Sequence, residues 1–400
     1  MTTSSDSRRG TDTKLGHLGR EPQRFDGAVN PPVYHVSTVL APDLDTYEAG
    51  GRRRYEHGEM VYGRYGTPTH HALESALSEL EGAADTVILP SGLAAITCAL
   101  FAVVRTGDHV LVTDSAYGPT RGFCTGLLQR MGVSTTFYDP TIDPEGLAAL
   151  IRPETKAMVL EAPGSMTFEV QDVPALAQRA KAAGLCVLMD NTWATPLFFQ
   201  PIAHGVDLSI QAATKYIVGH ADAMLGAVSA SDAWARTLRS TMYELGMSAG
   251  PDDVYLGMRG LRTLGVRLRQ HWRNALTVAE WLRDRPEVAQ VLYPALPDAP
   301  GHEVWKRDFA GASGLFGVVL AEPYSRDAIA AMLDGMSLFG IGSSWGGYES
   351  LMIACYPEKA RTATTWDAPG PLLRLHIGLE DPADLIADLE AGFARLTAGG

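Results

Sequence analysis

The sequence has few cysteines, and none of them is placed as part of a pair. The four are Cys98, Cys124, Cys186 and Cys355. Zinc sites and disulfide-rich secreted domains both depend on closely and regularly spaced cysteines, so this spacing argues against both classes. The sequence therefore predicts a protein of the reducing cytoplasm that holds no structural metal.

Long apolar runs are also missing. No uninterrupted apolar stretch reaches the length of a membrane-spanning helix, and the polar start MTTSSDSRRGTD has no apolar segment behind it. We therefore expect no membrane helix and no secretory signal. We expect the first dozen residues to form a loose tail.

Positive charge is scarce as well. Lys and Arg number 33 against 46 Asp and Glu, which gives a formal net charge of −13. Such an acidic balance argues against nucleic acid or an anionic membrane as the main partner. The chain has 400 residues, 46% of them hydrophobic, so it can bury a large core in two or more domains. A small molecule is the expected substrate.

The order of apolar runs predicts an α/β fold. Short β-branched runs alternate with helical patterns between about residues 83 and 230, which is typical of a mainly parallel sheet with helices on both faces. A long helix is predicted over 252–284, and fewer strands follow it. We predict an N-terminal arm over 1–60, a large domain over 61–255, and a connecting helix with a smaller C-terminal α+β domain over 256–400.

Three polar segments follow predicted strands, where ligands collect in open α/β sheets. ILPSGLAAI passes through Ser91 and Gly92 into a helix, and its free N–H groups form either a phosphate cradle or an ordinary tight turn. In CVLMDN an apolar strand ends on Asp190, which is either a helix cap or an anion held for a purpose. QAATKYIVGHAD carries Lys215, which by itself could be a surface lysine.

These three segments gain a chemical meaning if they share one crevice. Pyridoxal 5'-phosphate needs a lysine for its aldehyde, an acidic partner for its ring nitrogen and a phosphate pocket. Lys215, Asp190 and the Ser91 turn would supply all three. No G-x-G-x-x-G run follows a strand and no G-x-x-x-x-G-K-[ST] occurs, so dinucleotide and P-loop nucleotide binding are not indicated.

Several longer segments resemble the Cys/Met-metabolism family of pyridoxal-phosphate enzymes, and its lyase branch in particular. They lie between about residues 14 and 396 and include VYGRYGTPT, PSGLAAI, DSAYGP, DNTWATPLFF, AATKYIVGH, RGLRTLGVRLRQH and SSWGGYESL. The resemblance implies the aspartate-aminotransferase type of fold, known as fold type I. It also implies the cofactor pyridoxal 5'-phosphate.

The resemblance also implies roles for individual residues at the cofactor. Lys215 matches the lysine that bonds the aldehyde, Asp190 the partner of the ring nitrogen, and Tyr117 the tyrosine that stacks on the ring. The phosphate would be bound by Gly92, Leu93 and Thr214, and by Tyr62 and Arg64 of a neighbouring subunit. A homodimer with shared sites is therefore expected, and two such dimers would form a tetramer.

For the substrate, the resemblance implies an amino acid whose carboxylate is gripped by Arg374 with help from Ser344 and Trp345. Arginine suits this role because its planar fork meets a carboxylate with two parallel hydrogen bonds. The implied reaction is β-cleavage of L-cystathionine to homocysteine, pyruvate and ammonia in methionine biosynthesis. γ-Elimination or γ-replacement on the same scaffold is the alternative, and spacing alone does not separate the two.

Overall fold

Two sheets organise residues 9–398, the part of the chain that the computed structural model describes. The larger sheet contains β1 (Asp85–Leu89), β2 (His109–Thr113), β3 (Ser134–Tyr138), β4 (Thr155–Glu161), β5 (Cys186–Asp190), β6 (Leu208–Gln211) and β7 (Gly226–Ala230). The smaller sheet contains β8 (Val288–Leu292), β9 (Leu315–Leu320), β10 (Leu351–Cys355) and β11 (Leu372–His376). The strand orders are β1-β7-β6-β5-β4-β2-β3 and β10-β11-β9-β8.

Helices surround both sheets. They are α1 (Thr11–His17), α2 (Leu44–Arg53), α3 (Pro68–Glu81), α4 (Gly92–Val103), α5 (Gly118–Phe123), α6 (Pro144–Leu150), α7 (Val173–Ala182), α8 (Thr195–Phe198), α9 (Asp232–Leu245), α10 (Pro251–Leu261), α11 (Leu264–Arg283), α12 (His302–Asp308), α13 (Arg326–Asp334) and α14 (Pro382–Ala398). A π-helical turn over Cys124–Leu128 continues α5. None of the described helices is long and apolar enough to cross a membrane.

The larger sheet is mainly parallel, as predicted. Strands β3, β2, β4, β5 and β6 run parallel in adjacent pairs, and β7 runs antiparallel between β6 and β1. Every residue of β2 and of β7 is buried, because apolar clusters lie on both faces of the sheet. Strands covered on both sides appear as continuous apolar runs, which explains why the sequence revealed them clearly.

The helix predicted over 252–284 is two helices, α10 and α11. At Thr263 the backbone leaves helical geometry, with φ −110° and ψ 7°. A β-carbon on Gly260 would lie 2.2 and 2.3 Å from the carbonyl oxygens of Ile217 and Val218, so α10 packs directly on the backbone that follows Lys215. The apolar pattern continues across the break, and for this reason the sequence did not reveal it.

Two further features were missed. β8 is an edge strand whose central residues are exposed, so its sequence VAQVL shows no clear alternation. The first 60 residues, predicted as an arm, contain α1 and α2. Lys14 in α1 pairs with Glu79 of α3 at 3.0 Å. Residues 1–8 of the expected tail lie outside the described residues. The division into the regions 1–60, 61–255 and 256–400 stays a prediction.

Candidate active site

Asp190 ends β5 at the carboxyl edge of the parallel strands, opposite Ile210 of β6. Its Oδ1 accepts hydrogen bonds from the N–H of Thr192 at 3.0 Å and from the Thr192 hydroxyl at 2.5 Å. The same hydroxyl oxygen accepts from the N–H of Ala212 at 2.8 Å. Thr192 therefore ties Asp190 to the turn that carries Lys215. Within the described chain both hydrogen bonds fall on Oδ1, so Oδ2 is available to a cation.

Lys215 lies on the turn after β6, and its side chain points to the loop before β10. The Nζ donates to Ser344 Oγ at 2.7 Å and lies 5.4 Å from the centre of the Trp345 ring. Burial and the charge of Arg374 lower the pKa of Lys215 to about 8, against the opposing effect of Asp190. A larger fraction of this amine is neutral near pH 7 than is usual for lysine, which suits a nucleophile and a base.

Gly346 lets this loop approach the lysine. Its φ is +86°, and a β-carbon there would lie 2.9 Å from the carbonyl carbon and 3.0 Å from the Cα of Lys215. His376 supports this loop, because its Nε2 lies 3.1 Å from the N of Gly346 and 3.0 Å from the O of Gly347. Burial and neighbouring His271 lower the pKa of His376 to about 3, so its imidazole is neutral.

The start of α4 forms the predicted turn. Ser91 caps the helix, since its hydroxyl accepts from the N–H of Ala94 at 3.1 Å. A β-carbon on Gly92 would lie 2.5 Å from the Cβ of Ala212, so only glycine allows the helix end to approach the lysine turn this closely. Leu93 remains 39% exposed. The free N–H groups and positive end of α4 therefore open beside the turn that carries Lys215.

The hydroxyl of Thr214 is already engaged in hydrogen bonds within the protein. Its hydroxyl donates to the carbonyl of Leu225 at 3.0 Å and accepts from the N–H of Leu225 at 2.8 Å. These bonds fasten the lysine turn to the start of β7. To bind a phosphate oxygen, the hydroxyl would have to redirect its proton from Leu225.

Tyr117 stands at the start of α5, and its side chain is 41% exposed. Its N–H donates to Glu161 Oε2 at 2.7 Å. Glu161 ends β4 and is the register partner of Asp190 on β5. Burial, and secondarily the charge of Asp190, raises the pKa of Glu161 well above its ordinary value. A carboxyl group that takes up a proton more readily than usual therefore supports Tyr117 beside Asp190.

Arg374 lies at the centre of β11, between Ile353 of β10 and Gly317 of β9. Two residues further along β11, His376 contacts Gly346 in the loop that holds Lys215, so this strand borders the lysine. The charge of Arg374 acts to lower the pKa of both Lys215 and Tyr117. Burial lowers its pKa. No carboxylate in the described part of the chain pairs with this guanidinium, so it is free to bind an acidic ligand.

Tyr62 and Arg64 lie elsewhere in the chain. Arg64 donates to the carbonyl of Tyr243 at 2.9 Å and stacks 4.6 Å from the centre of the Tyr65 ring. With Tyr62, 42% exposed, it lines a surface pocket of about 360 Å³ bounded also by residues 34–37 and 248–251. Among the described residues no hydrogen bond or ion pair joins this pair to Lys215, and the role of both residues in a neighbouring subunit's site stays a prediction.

Sequence reasoning missed Glu161, Thr192 and His376. Glu161 could have been found, because KAMVLE ends a predicted apolar strand on a carboxylate just as CVLMD ends on Asp190. Thr192 and His376 act through hydrogen bonds to backbone groups distant in sequence, which no local pattern indicates.

The residues present fit pyridoxal 5'-phosphate. An amine of lowered pKa, a carboxylate oxygen available to a cation and a helix end brought close by Gly92 are grouped on one crevice. A free arginine for an acidic substrate group lies in the same crevice. Each group matches one chemical feature of the cofactor and an amino-acid substrate.

Known proteins resemble this chain along nearly its whole length. A family model described as Cys/Met metabolism PLP-dependent enzyme matches residues 12–394. A putative cystathionine beta-lyase of Rhizobium johnstonii is 49% identical over 97% of each chain. Cystathionine beta-lyase MetC of Escherichia coli is 47% identical over 96% of this chain and 98% of its own. Among solved structures, cystathionine gamma synthase of Xanthomonas oryzae in complex with cystathionine has a TM-score of 0.88 and 32% identity, covering 98% of this chain and 100% of that chain.

Proposed function

Because the chain belongs to the Cys/Met metabolism family of PLP-dependent enzymes, we propose that it cleaves L-cystathionine to homocysteine, pyruvate and ammonia. It is a carbon–sulfur lyase of fold type I with pyridoxal 5'-phosphate as cofactor. The observation that carries the proposal is the Lys215 amine, held at 2.7 Å by Ser344 in a crevice shared with Asp190 and Arg374. We place the reaction in methionine biosynthesis and in the cytoplasm.

The cofactor, when bound, supplies an aldehyde for the substrate amine and a ring that withdraws electrons from the α-carbon. Lys215 would bind the aldehyde through its amine until substrate arrives. Its amine then removes the proton from Cα and delivers it to the departing sulfur. The carboxylate of Asp190 keeps the ring nitrogen protonated, and Thr192 keeps that carboxylate in place.

The remaining groups bind and orient. The N–H groups of Gly92 and Leu93 at the start of α4 are the proposed phosphate donors, with the Thr214 hydroxyl as a further one. Tyr117 stacks on the ring and orients the amine. Arg374 binds the substrate carboxylate. Ser344 and Trp345, which contact the Lys215 amine, line the same site.

We propose a homodimer as the active unit, with Tyr62 and Arg64 of one subunit completing the phosphate site of the other. The exposure of Tyr62 and its position away from Lys215 in its own chain support this arrangement. A tetramer of two such dimers is the proposed assembly. Neither nucleic acid nor a membrane is a proposed partner, in keeping with the net charge of −13.

The second candidate function is γ-elimination or γ-replacement on the same scaffold. The γ-synthase structure is similar in fold, but its 32% identity is well below the 47–49% of the β-lyases. Identification of the keto acid released from L-cystathionine separates the two. Pyruvate with homocysteine supports β-cleavage, whereas 2-oxobutyrate with cysteine would contradict it. Protein carrying Lys215→Ala serves as the matched control and should release neither keto acid.

A further inference from the structure

Asp114 directly follows β2, three residues before Tyr117, and only 1% of the residue is exposed. Its carboxylate accepts hydrogen bonds from three consecutive N–H groups in the loop between β10 and β11. These are Thr362 to Oδ1 at 3.0 Å, Ala363 to Oδ2 at 2.9 Å and Thr364 to Oδ2 at 2.9 Å. A carboxylate from the larger sheet is thus enclosed by a backbone segment that belongs to the smaller one.

Side chains complete this enclosure. The hydroxyls of Thr362 and Thr364 donate to Asp114 at 3.1 and 3.0 Å. Arg121 donates to Asp114 Oδ1 at 2.8 Å and to Thr362 Oγ1 at 3.0 Å, and its guanidinium stacks 3.8 Å from the centre of the Phe137 ring. Each carboxylate oxygen of Asp114 therefore accepts several hydrogen bonds. Burial alone would raise the pKa of Asp114, but the N–H groups of the loop outweigh it and the pKa is lowered.

A second tie holds the same loop. Arg361 donates to Glu169 Oε1 at 2.5 Å, and it also donates to the hydroxyl of Thr167. Glu169 follows β4, so the loop is anchored on the larger sheet at two separate points. Loops between strands are usually mobile unless their backbone groups are hydrogen-bonded in this way.

Each anchored segment leads along the chain to a residue of the proposed site. Tyr117 follows Asp114 by three residues, and Arg374 on β11 follows Thr364 by ten. The Asp114 enclosure therefore joins the segment before Tyr117 to the loop that leads into β11.

We propose that Asp114 is a positioning residue that sets where Arg374 holds the substrate carboxylate, by fixing the 361–364 loop on the Tyr117 segment. The inference rests on the proposed function, because it assigns Arg374 to an amino-acid carboxylate. Asp114 touches neither substrate nor cofactor in this account. It determines how strongly the site distinguishes a free carboxylate from an uncharged replacement.

Asp114→Asn tests the inference, because it keeps the size of the side chain and replaces one acceptor oxygen with a donor that faces other donors. The readout is binding of L-alanine and of L-alaninamide to cofactor-loaded protein, measured by the change in visible absorbance. We expect the preference for the carboxylate over the amide to fall by about 10-fold, the order expected for a weakened hydrogen bond to a charged group. In the lyase assay we expect KM to rise more than kcat falls. Asp367→Asn, which alters an exposed carboxylate on the same loop, should leave the preference unchanged.

Thr364→Val is the second variant if Asp114→Asn does not fold. It keeps the carboxylate and removes one hydroxyl, which donates to Asp114 and accepts from Arg361. We expect a smaller loss of the same preference. An unchanged preference in folded Asp114→Asn, or in Thr364→Val when the first variant does not fold, would overturn the inference. Failure of the proposed lyase reaction is separate, because wild-type protein would then bind L-alanine without releasing pyruvate from cystathionine.

Discussion

Glu161 and Asp190 are register partners on neighbouring strands, and each ends its strand at the same edge of the sheet. Two carboxyl groups in this position do not both ionise readily, and the pKa of Glu161 is raised by burial first and by Asp190 second. Burial also raises the pKa of Asp190, but the hydrogen bonds from Thr192 and the charge of Lys215 oppose this rise, so Glu161 is the more readily protonated of the two. Glu161 meanwhile holds the backbone of Tyr117 at 2.7 Å.

A stability prediction follows from the raised pKa of Glu161. The folded protein holds this proton at pH values where the unfolded chain has lost it, so folding stability falls as pH rises from the unfolded pKa toward the folded one. Glu161→Gln removes this dependence and keeps a group of the same shape. Cofactor-free Glu161→Gln should melt higher than wild type by about 2–4 °C at pH 8, with a smaller gain at pH 5. A gain that is larger at pH 5 would contradict the assignment.

Lys215 should react with amine reagents at unusually low pH. Its pKa is lowered to about 8, so half of the amine is neutral near pH 8 in the cofactor-free protein. Peptide mass spectrometry after brief reductive methylation at several pH values should place its midpoint there. In Arg374→Gln the midpoint should move upward, because the guanidinium is the second cause of the lowered pKa. Lys181, which pairs with Asp207 at 2.7 Å, is an internal comparison.

Arg374→Lys should weaken substrate binding although it keeps the positive charge. A lysine cannot form the two parallel hydrogen bonds that a guanidinium offers a carboxylate. We expect kcat/KM for L-cystathionine to fall by about 10- to 100-fold, as for loss of a charged hydrogen bond. Steady-state kinetics checks this, and equal kcat/KM values for the two proteins would remove Arg374 from carboxylate binding.

Gly346→Ala should disturb the lysine directly. The residue has a φ of +86°, and a β-carbon would lie 2.9 Å from the Lys215 backbone. Strain of this kind costs about 1–3 kcal/mol, and here it would separate Lys215 from Ser344. Gly347→Ala is the matched control, since its β-carbon would meet Ala221 at 3.3 Å. Thermal melts and lyase activity should both fall for Gly346→Ala and change far less for Gly347→Ala.

Much of the larger sheet was predictable, because strands buried on both faces leave continuous apolar runs in the sequence. The grouping of Lys215, Asp190 and the Ser91 turn was predictable for the same reason, since each follows such a run. The break between α10 and α11 was not, because the apolar pattern continues across it.

The supporting residues of the site were hidden from the sequence for a related reason. Asp114 is enclosed by N–H groups almost 250 positions later in the chain, and His376 supports a loop through two backbone atoms. Backbone groups are the same at every residue, so their partners leave no signature in the order of side chains. Tyr62 and Arg64 could be placed only by the resemblance, and their role across a subunit boundary stays a prediction.

The most direct measurement is borohydride reduction of the cofactor-loaded protein followed by peptide mapping. The chain has six lysines, which are Lys14, Lys156, Lys181, Lys215, Lys306 and Lys359. Reduction should abolish the visible absorbance and leave the pyridoxyl mass on the peptide that contains Lys215, and Lys215→Ala should carry no such mass. A colourless loaded protein, or a reduced adduct on any other lysine, would contradict the account.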